Sequence, residues 1–347
     1  MNKLLLGSAA AALMIAPAVA GPIALTVSGY HNTAYMSIDK EAAAGVADFE
    51  ATNIDQDAEI HFKFKGKMDN GTTVGGQVQL ESEGNGADNG GKDQIDEHYV
   101  YVKGDFGKVT IGSENSAARM LEAGHDKYLG FSQAEDNLLA GVEIGYTQAV
   151  HTSITGDAPK LTYVSPIFSG LQVGYSMTPS TKDTNGDAFG LSAEGDGYGE
   201  ATSYGLRYKG NVGPAKIAIS AGGESVDDTD GTKEDSSIGL NVSYMGFKFS
   251  YKDLTREQDA AFDGADGETE DTFNNIAVSY KLNKKLVLGV DMQSDEDKDG
   301  NTTYEHTRFG GSYVLGKGAK LSFSSLDADE DDTKSHSITQ VALLLKF

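Results

Sequence analysis

Three aspartates and a glycine stand in calcium-binding order near the C-terminus. Asp295, Asp297 and Asp299 occupy positions 1, 3 and 5 of a calcium loop, and Gly300 occupies position 6. Such a loop needs a helix on either side and a bidentate Glu at its twelfth position. That position is His306, and Glu305 falls one place short. A second pair with chemical potential is His125 beside Asp126, which could move a proton. It stands in an acidic run, where a charged pair is ordinarily solvated. The chain has no Cys, no G-x-S-x-G elbow, no H-E-x-x-H helix and no phosphate loop. Catalysis is not expected and no cofactor is required. Calcium, held loosely at Asp295, Asp297 and Asp299, is the one metal these residues suggest.

The elements around the aspartates decide between a calcium switch and an acidic turn. "LVLGVDMQ" before them and "TRFGGSYVL" after them alternate with period two, so both flanks read as strands. The same alternation recurs along the chain. "EIHFKFKGK" sets Ile60, Phe62 and Phe64 against His61, Lys63 and Lys65. "SIGLNVSY" and "FKFSYK" behave alike. The pattern predicts sixteen strands, the first over 23–39 and the last over 335–347. Very short turns such as Met245-Gly246 take turns with long acidic stretches such as "ESVDDTDGTKEDS" and "SDEDKDGN". Short, long, short, long describes an up-and-down antiparallel sheet. An even count brings the last strand back beside the first, so the sheet can close.

Composition fixes the surroundings. The formal net charge is −24, with 52 acidic against 28 basic residues. Such a chain repels phosphate backbones, so nucleic acid is not an expected partner. The 16 Tyr and 14 Phe argue against disorder. Lys3, an apolar run and Ala18-Val19-Ala20 form a signal peptide over 1–20, which leaves 21–347 as one exported domain. No second apolar run is long enough for a spanning helix. One face of the strands is apolar; the other is Gly, Ser, Asn, Gln or Lys. A sixteen-stranded barrel is too wide for side chains to fill. Its polar face therefore meets water inside, and its apolar face meets lipid outside. The fold class is all-β, a transmembrane antiparallel barrel.

On these residues the chain resembles the general porins of Gram-negative outer membranes, the short alphaproteobacterial ones in particular. The most specific stretch is "GDFGKVTIGSENSAARMLEAGHDKYLG", residues 104–130. The resemblance implies a third loop, about 114–158, folded into the lumen to narrow it. Asn115 or Ser116 would cap a short helix there and Gly124 would stop it, with Met120, Leu121 and Tyr128 as apolar contacts. The loop's acids, Glu114, Glu122, Asp126, Glu135 and Asp136, would face a basic wall. That wall would carry His61, Lys63 and Lys65, with Arg207 and Arg308 as further cations. The resemblance also implies a homotrimer set in outer-membrane lipid and lipopolysaccharide. It implies passive diffusion of small hydrophilic solutes and ions, and the acidic charge predicts weak cation preference. Two other readings stay open. One is a channel specific for a sugar or anion bound at the constriction; the other is a structural or adhesive surface barrel.

Overall fold

The computed structural model describes residues 13–14, 23–40, 49–83, 95–124, 151–152, 154–181, 199–228, 231–259, 269–298, 302–330 and 334–347. Sixteen long strands follow one another: β1 (Ile23–Lys40), β2 (Phe49–Lys67), β3 (Thr73–Glu83), β4 (Ile95–Gly104), β5 (Gly107–Ser113), β6 (Pro159–Val164), β7 (Leu171–Thr178) and β8 (Glu200–Val212) form the first half. The second half is β9 (Ala215–Asp228), β10 (Gly231–Tyr244), β11 (Phe247–Gln258), β12 (Thr269–Lys281), β13 (Leu286–Asp297), β14 (Thr302–Gly316), β15 (Ala319–Glu330) and β16 (Lys334–Lys346). Each pairs antiparallel with the one before it, and β16 pairs with β1. At that seam Gly29 N donates to Phe347 O and Phe347 N donates to Gly29 O, both at 3.0 Å. A two-residue pairing of Leu13–Met14 with Val27 and Thr26 takes no part in the closure.

All sixteen predicted strands are present. Their loop-side ends differ from the sequence reading. Asp227 and Asp228 pair with Thr232 and Gly231, inside the stretch read as a long loop. Ser294–Asp297 belong to β13, and Asp327–Glu330 belong to β15. The hairpins keep their backbone ladders above the apolar band, where both faces are wet and polar residues cost nothing on either side. Acid content marks where the sheet leaves lipid, not where it ends. The short turns behave as read. Met245 and Gly246 both have positive φ, 48° and 88°. That backbone twist matches the strands that a two-residue hairpin joins.

The two faces separate cleanly. Tyr35, Val100, Ile111, Tyr204, Val278 and Phe309 point outward and are exposed. Their neighbours in sequence point inward: Ala34, Thr110, Ser203, Ala277 and Ser279 are buried or nearly so. Outward aromatic rings gather near the short turns. Phe247 and Tyr280 lie 4.4 Å apart between centroids, and Lys285 reaches over the Tyr313 ring. This is the girdle that belongs at a membrane–water boundary. No helix among the described residues is long and apolar enough to cross a membrane.

The assignment of faces is testable by paired substitutions. Val278→Arg places a charge toward lipid and should destabilise the folded barrel by about 2–4 kcal/mol. Ser243→Arg places the same side chain toward the lumen and should leave stability nearly unchanged. Urea unfolding in lipid vesicles, followed by tyrosine fluorescence, compares the two; equal losses would contradict the assignment.

Candidate functional site

The third long loop, the fifth connection, leaves β5 at Ser113 and returns at Pro159. Its described parts are residues 114–124, 151–152 and 154–158. A short helix, α1 (Ala117–Leu121), lies against the inner face of β7, β8 and β9. Ser116 is its N-cap, and its hydroxyl accepts from Arg119 N at 3.3 Å. Gly124 has φ of +87°, a conformation suited to a stop, three residues beyond the last helical residue.

A track of small residues lets the helix lie this close. Gly174, Gly205 and Gly222 are direct partners across the β7–β8–β9 ladders. A Cβ at Gly205 would sit 2.5 Å from the Ala117 carbonyl oxygen, and one at Gly239 on β10 would overlap the backbone of Ala123. Serines two residues from the glycines supply acceptors. Ser176 Oγ accepts from Ala117 N at 2.8 Å, Ser203 Oγ from Ala118 N at 3.0 Å and Ser220 Oγ from Ala123 N at 2.7 Å. The first N–H groups of a helix lack intrahelical partners. Here the barrel wall supplies partners for two of them. At the other end Arg207 Nη1 donates to Met120 O at 3.1 Å. Leu121 is buried against the same glycines, worth about 1.5–3 kcal/mol.

Glu122 fastens the loop by charge. Its carboxylate accepts from Lys252 Nζ at 2.9 Å, Arg119 Nη1 at 3.0 Å and Thr152 N at 2.9 Å. Lys252 comes from β11 and is almost wholly buried. Burial alone would push the Glu122 carboxyl up; Lys252 and Arg119 outweigh burial and hold it below the usual carboxylate range. A second anchor is Glu224 on β9, which accepts from the Ser116 hydroxyl and from Thr155 N at 3.1 Å. A third is the buried Lys160, whose ammonium donates to Glu114 O at 2.5 Å and Gly156 O at 2.9 Å.

The sequence-predicted residues take different places. Glu122 and Arg207 meet at α1, and both hold the loop. Glu114 lies buried at the loop root, bonded to Asn115 N at 3.0 Å. His61, Lys63 and Lys65 share the inner face of β2, six strands from β8. His61 Nε2 lies 2.6 Å from Glu59, while Lys63 and Lys65 are exposed. Arg308 is buried on β14 and donates to Asp291 at 2.7 Å, beside His306 at 3.1 Å from the same carboxylate. Asp295 is buried and accepts from Gln293 at 3.0 Å; Asp297 ends β13. Asp126, Tyr128, Glu135, Asp136 and Asp299 lie outside the described residues. Among the described residues, three carboxylates that lie within 4.8 Å of one another are Asp57, Glu59 and Glu81, with the Tyr30 hydroxyl 2.7 Å from Glu59.

Sequence reasoning missed Lys252, Glu224, Lys160 and the glycine track. A signal for the track was present. Gly174-Tyr175-Ser176, Ser203-Tyr204-Gly205, Ser220-Ala221-Gly222 and Ser237-Ile238-Gly239 put a small pair on the inner face of four successive strands.

Comparison with known proteins agrees with this architecture. The sequence profile described as Gram-negative porin matches residues 7–334. The chain belongs to the Gram-negative porin family. No curated protein matches it. Among solved structures, it is similar to an anion-selective porin from Comamonas acidovorans. The two share 15% identity with a TM-score of 0.66, over 94% of this chain and 100% of that one. Salmonella typhi OmpF, in complex with daunomycin, is similar at 12% identity and a TM-score of 0.60, over 93% and 98% of the chains. A loop-deletion mutant of Vibrio cholerae OmpT gives 12% and 0.63, over 94% and 100%. At these identities the likeness is one of fold. As a porin the chain is a non-enzymatic outer-membrane channel through which solutes pass by passive diffusion.

The docking can be broken without breaking the barrel. Lys252→Met leaves a buried carboxylate short of a partner, a loss of about 3–5 kcal/mol in such surroundings. Gly239→Val removes the room for Ala123. Both should speed proteolysis within 114–158 while the heat-modifiable band of the folded barrel persists. Acid should act through the same clamp. Because the Glu122 carboxyl is held low, its contribution is present at neutral pH and is lost only as pH falls below the usual carboxylate range. Protease sensitivity of the loop should stay flat in mild acid and rise below it; Glu122→Gln should already be sensitive at neutral pH.

Proposed function

We propose that this porin is a general diffusion channel whose third loop narrows the lumen and whose charge favours cations weakly. One observation carries the reading. The loop turns inward at Glu114 and is fastened to the inner wall by α1, the glycine track and the Glu122–Lys252 pair. A loop held against the lumen wall subtracts from the cross-section there. Glu122 is engaged by Lys252 and Arg119, so we assign the aqueous path at the constriction to Asp126, Glu135 and Asp136. We place His61, Lys63 and Lys65 on the wall that faces them. Arg207 serves docking, and Arg308 serves the wall itself.

Selection then follows from size at the loop and from charge along the path. The net charge of −24 favours cations. One structurally similar porin is anion-selective, and this chain's charge argues for the opposite sign. We also infer a homotrimer, since Vibrio cholerae OmpT, similar in fold, is known in a trimer form. Within the family we group the chain with the short alphaproteobacterial porins, on the stretch 104–130.

Planar bilayers test both parts. Under a KCl gradient the reversal potential should take the cation-favouring sign; the anion-favouring sign would refute the preference. Deletion of 116–136 should raise single-channel conductance and admit larger solutes. Unchanged conductance would mean that the constriction lies elsewhere.

A further inference from the structure

The strand register fixes which residues face the lumen and how far each stands from the short turns. Sorted this way, the lumen charges separate along the barrel axis. The inward residues nearest the short turns include Lys65 on β2, Lys103 on β4, Lys216 on β9, Lys248 on β11, Lys281 on β12 and Lys346 on β16. Among the described residues, no strand carries a carboxylate at the two inward positions closest to its short turn. Most inward carboxylates lie toward the loops, Asp57, Glu59 and Glu81 on β2 and β3 and Glu224 and Asp235 on β9 and β10, while Asp291 stands at mid-height on β13, paired with Arg308. Apart from Asp69 and Asp105 in the turns themselves, the inner wall next to this mouth is free of carboxylates among the described residues.

One group of these cations lies between β8 and β11. There a groove of about 510 Å³ on the inner wall is lined by Lys209, Lys216, Lys248, Asn211, Asn241 and Ser243, with backbone between them. The ladder brings them together: Lys209 pairs with Ala218, Lys216 with Asn211 and Ser243, and Ser243 with Lys248. Lys209 and Lys216 have no carboxylate within 4 Å among the described residues. Arg207 stands one inward step above Lys209. The Lys209 and Lys216 ammonium groups, beside amide and hydroxyl donors and with no carboxylate within 4 Å, suit a small anion with several charges.

We propose that the short-turn mouth of this channel holds an anion-binding collar, centred on the Lys209–Lys216–Lys248 groove, that takes multivalent oxyanions of the phosphate class. The acidic half of the lumen filters ions that arrive from the loop side. The lysine collar gathers oxyanions at the opposite mouth and makes conduction unequal in the two directions. The inference rests on the chain being an open channel, and the test separates the two.

The full-length protein is inserted from one side into planar bilayers in KCl. The chain has no Cys, so Asp69→Cys in a short turn marks sidedness with a membrane-impermeant thiol reagent. Sodium pyrophosphate on the short-turn side should block current at roughly tenfold lower concentration than on the loop side, the order expected from two or three ammonium charges in wet surroundings. Exchange of Lys209, Lys216 and Lys248 for Gln together should abolish that difference. Lys216→Gln alone, at an exposed position, should halve it if the triple variant fails to give a heat-modifiable barrel. Equal block from both sides overturns the collar, as does a sided block that survives these exchanges. Calorimetric titration of the detergent-purified chain with pyrophosphate reads the site without current. Binding that the Gln variants lose supports the collar even if no current is seen, in which case the channel reading fails instead. Current without binding or sided block overturns the collar and leaves the channel standing.

Discussion

In hydrocarbon a peptide group has no partner except another peptide group. That constraint governs this molecule more than any side chain does. An open sheet would leave two rows of N–H and C=O groups in lipid. Sixteen strands joined back to the first leave none. Closure at this strand number forces a lumen too wide for side chains to fill. Each strand then serves two solvents at once, and the alternation of Val278 with Ser279, or Phe309 with Arg308, is the local record of that demand. The third loop meets the same rule from inside. Its helix end gives N–H groups to Ser176 and Ser203 rather than leaving them bare against the wall.

Much of the fold could be read before any coordinates. Alternation is a local property, so every strand was legible from a few residues. Strand ends were less so. Asp227, Asp295 and Asp327 look like loop residues because acids avoid lipid, yet the ladder continues past lipid into water. The loop root was legible in part. Ser116 and Gly124 carry the local chemistry of a cap and a stop. Lys252 was opaque, because nothing near it in sequence is its partner. Its role follows from a register that sets β11 under Glu122, and register is a long-range fact. The glycine track was intermediate. Each Ser-x-Gly or Gly-x-Ser pair is unremarked alone, and their alignment on four neighbouring strands exists only once the strands are paired.

Charge is used here in two ways. Several buried charges are matched by opposite ones: Glu122 with Lys252 and Arg119, Asp291 with Arg308. These pairs hold geometry, because separation of either would strand a charge away from water. Exposed lumen charges, such as Lys63, Lys65, Lys209 and Lys216, lack such partners among the described residues and act on whatever passes. The distinction separates the fastening of the loop from the electrostatics of the path, although both draw on the same residue types.

The hydrogen bonds between Gly29 and Phe347 bear on the order of assembly. Every other ladder joins strands that are neighbours in sequence; this one joins the two ends. Its loop-closure entropy is the largest in the sheet, so it has the most reason to form last. Until it forms, β1 and β16 are both raw edges, able to accept a strand from another molecule. The seam is therefore the boundary between a curled sheet that can aggregate and a sealed cylinder that cannot.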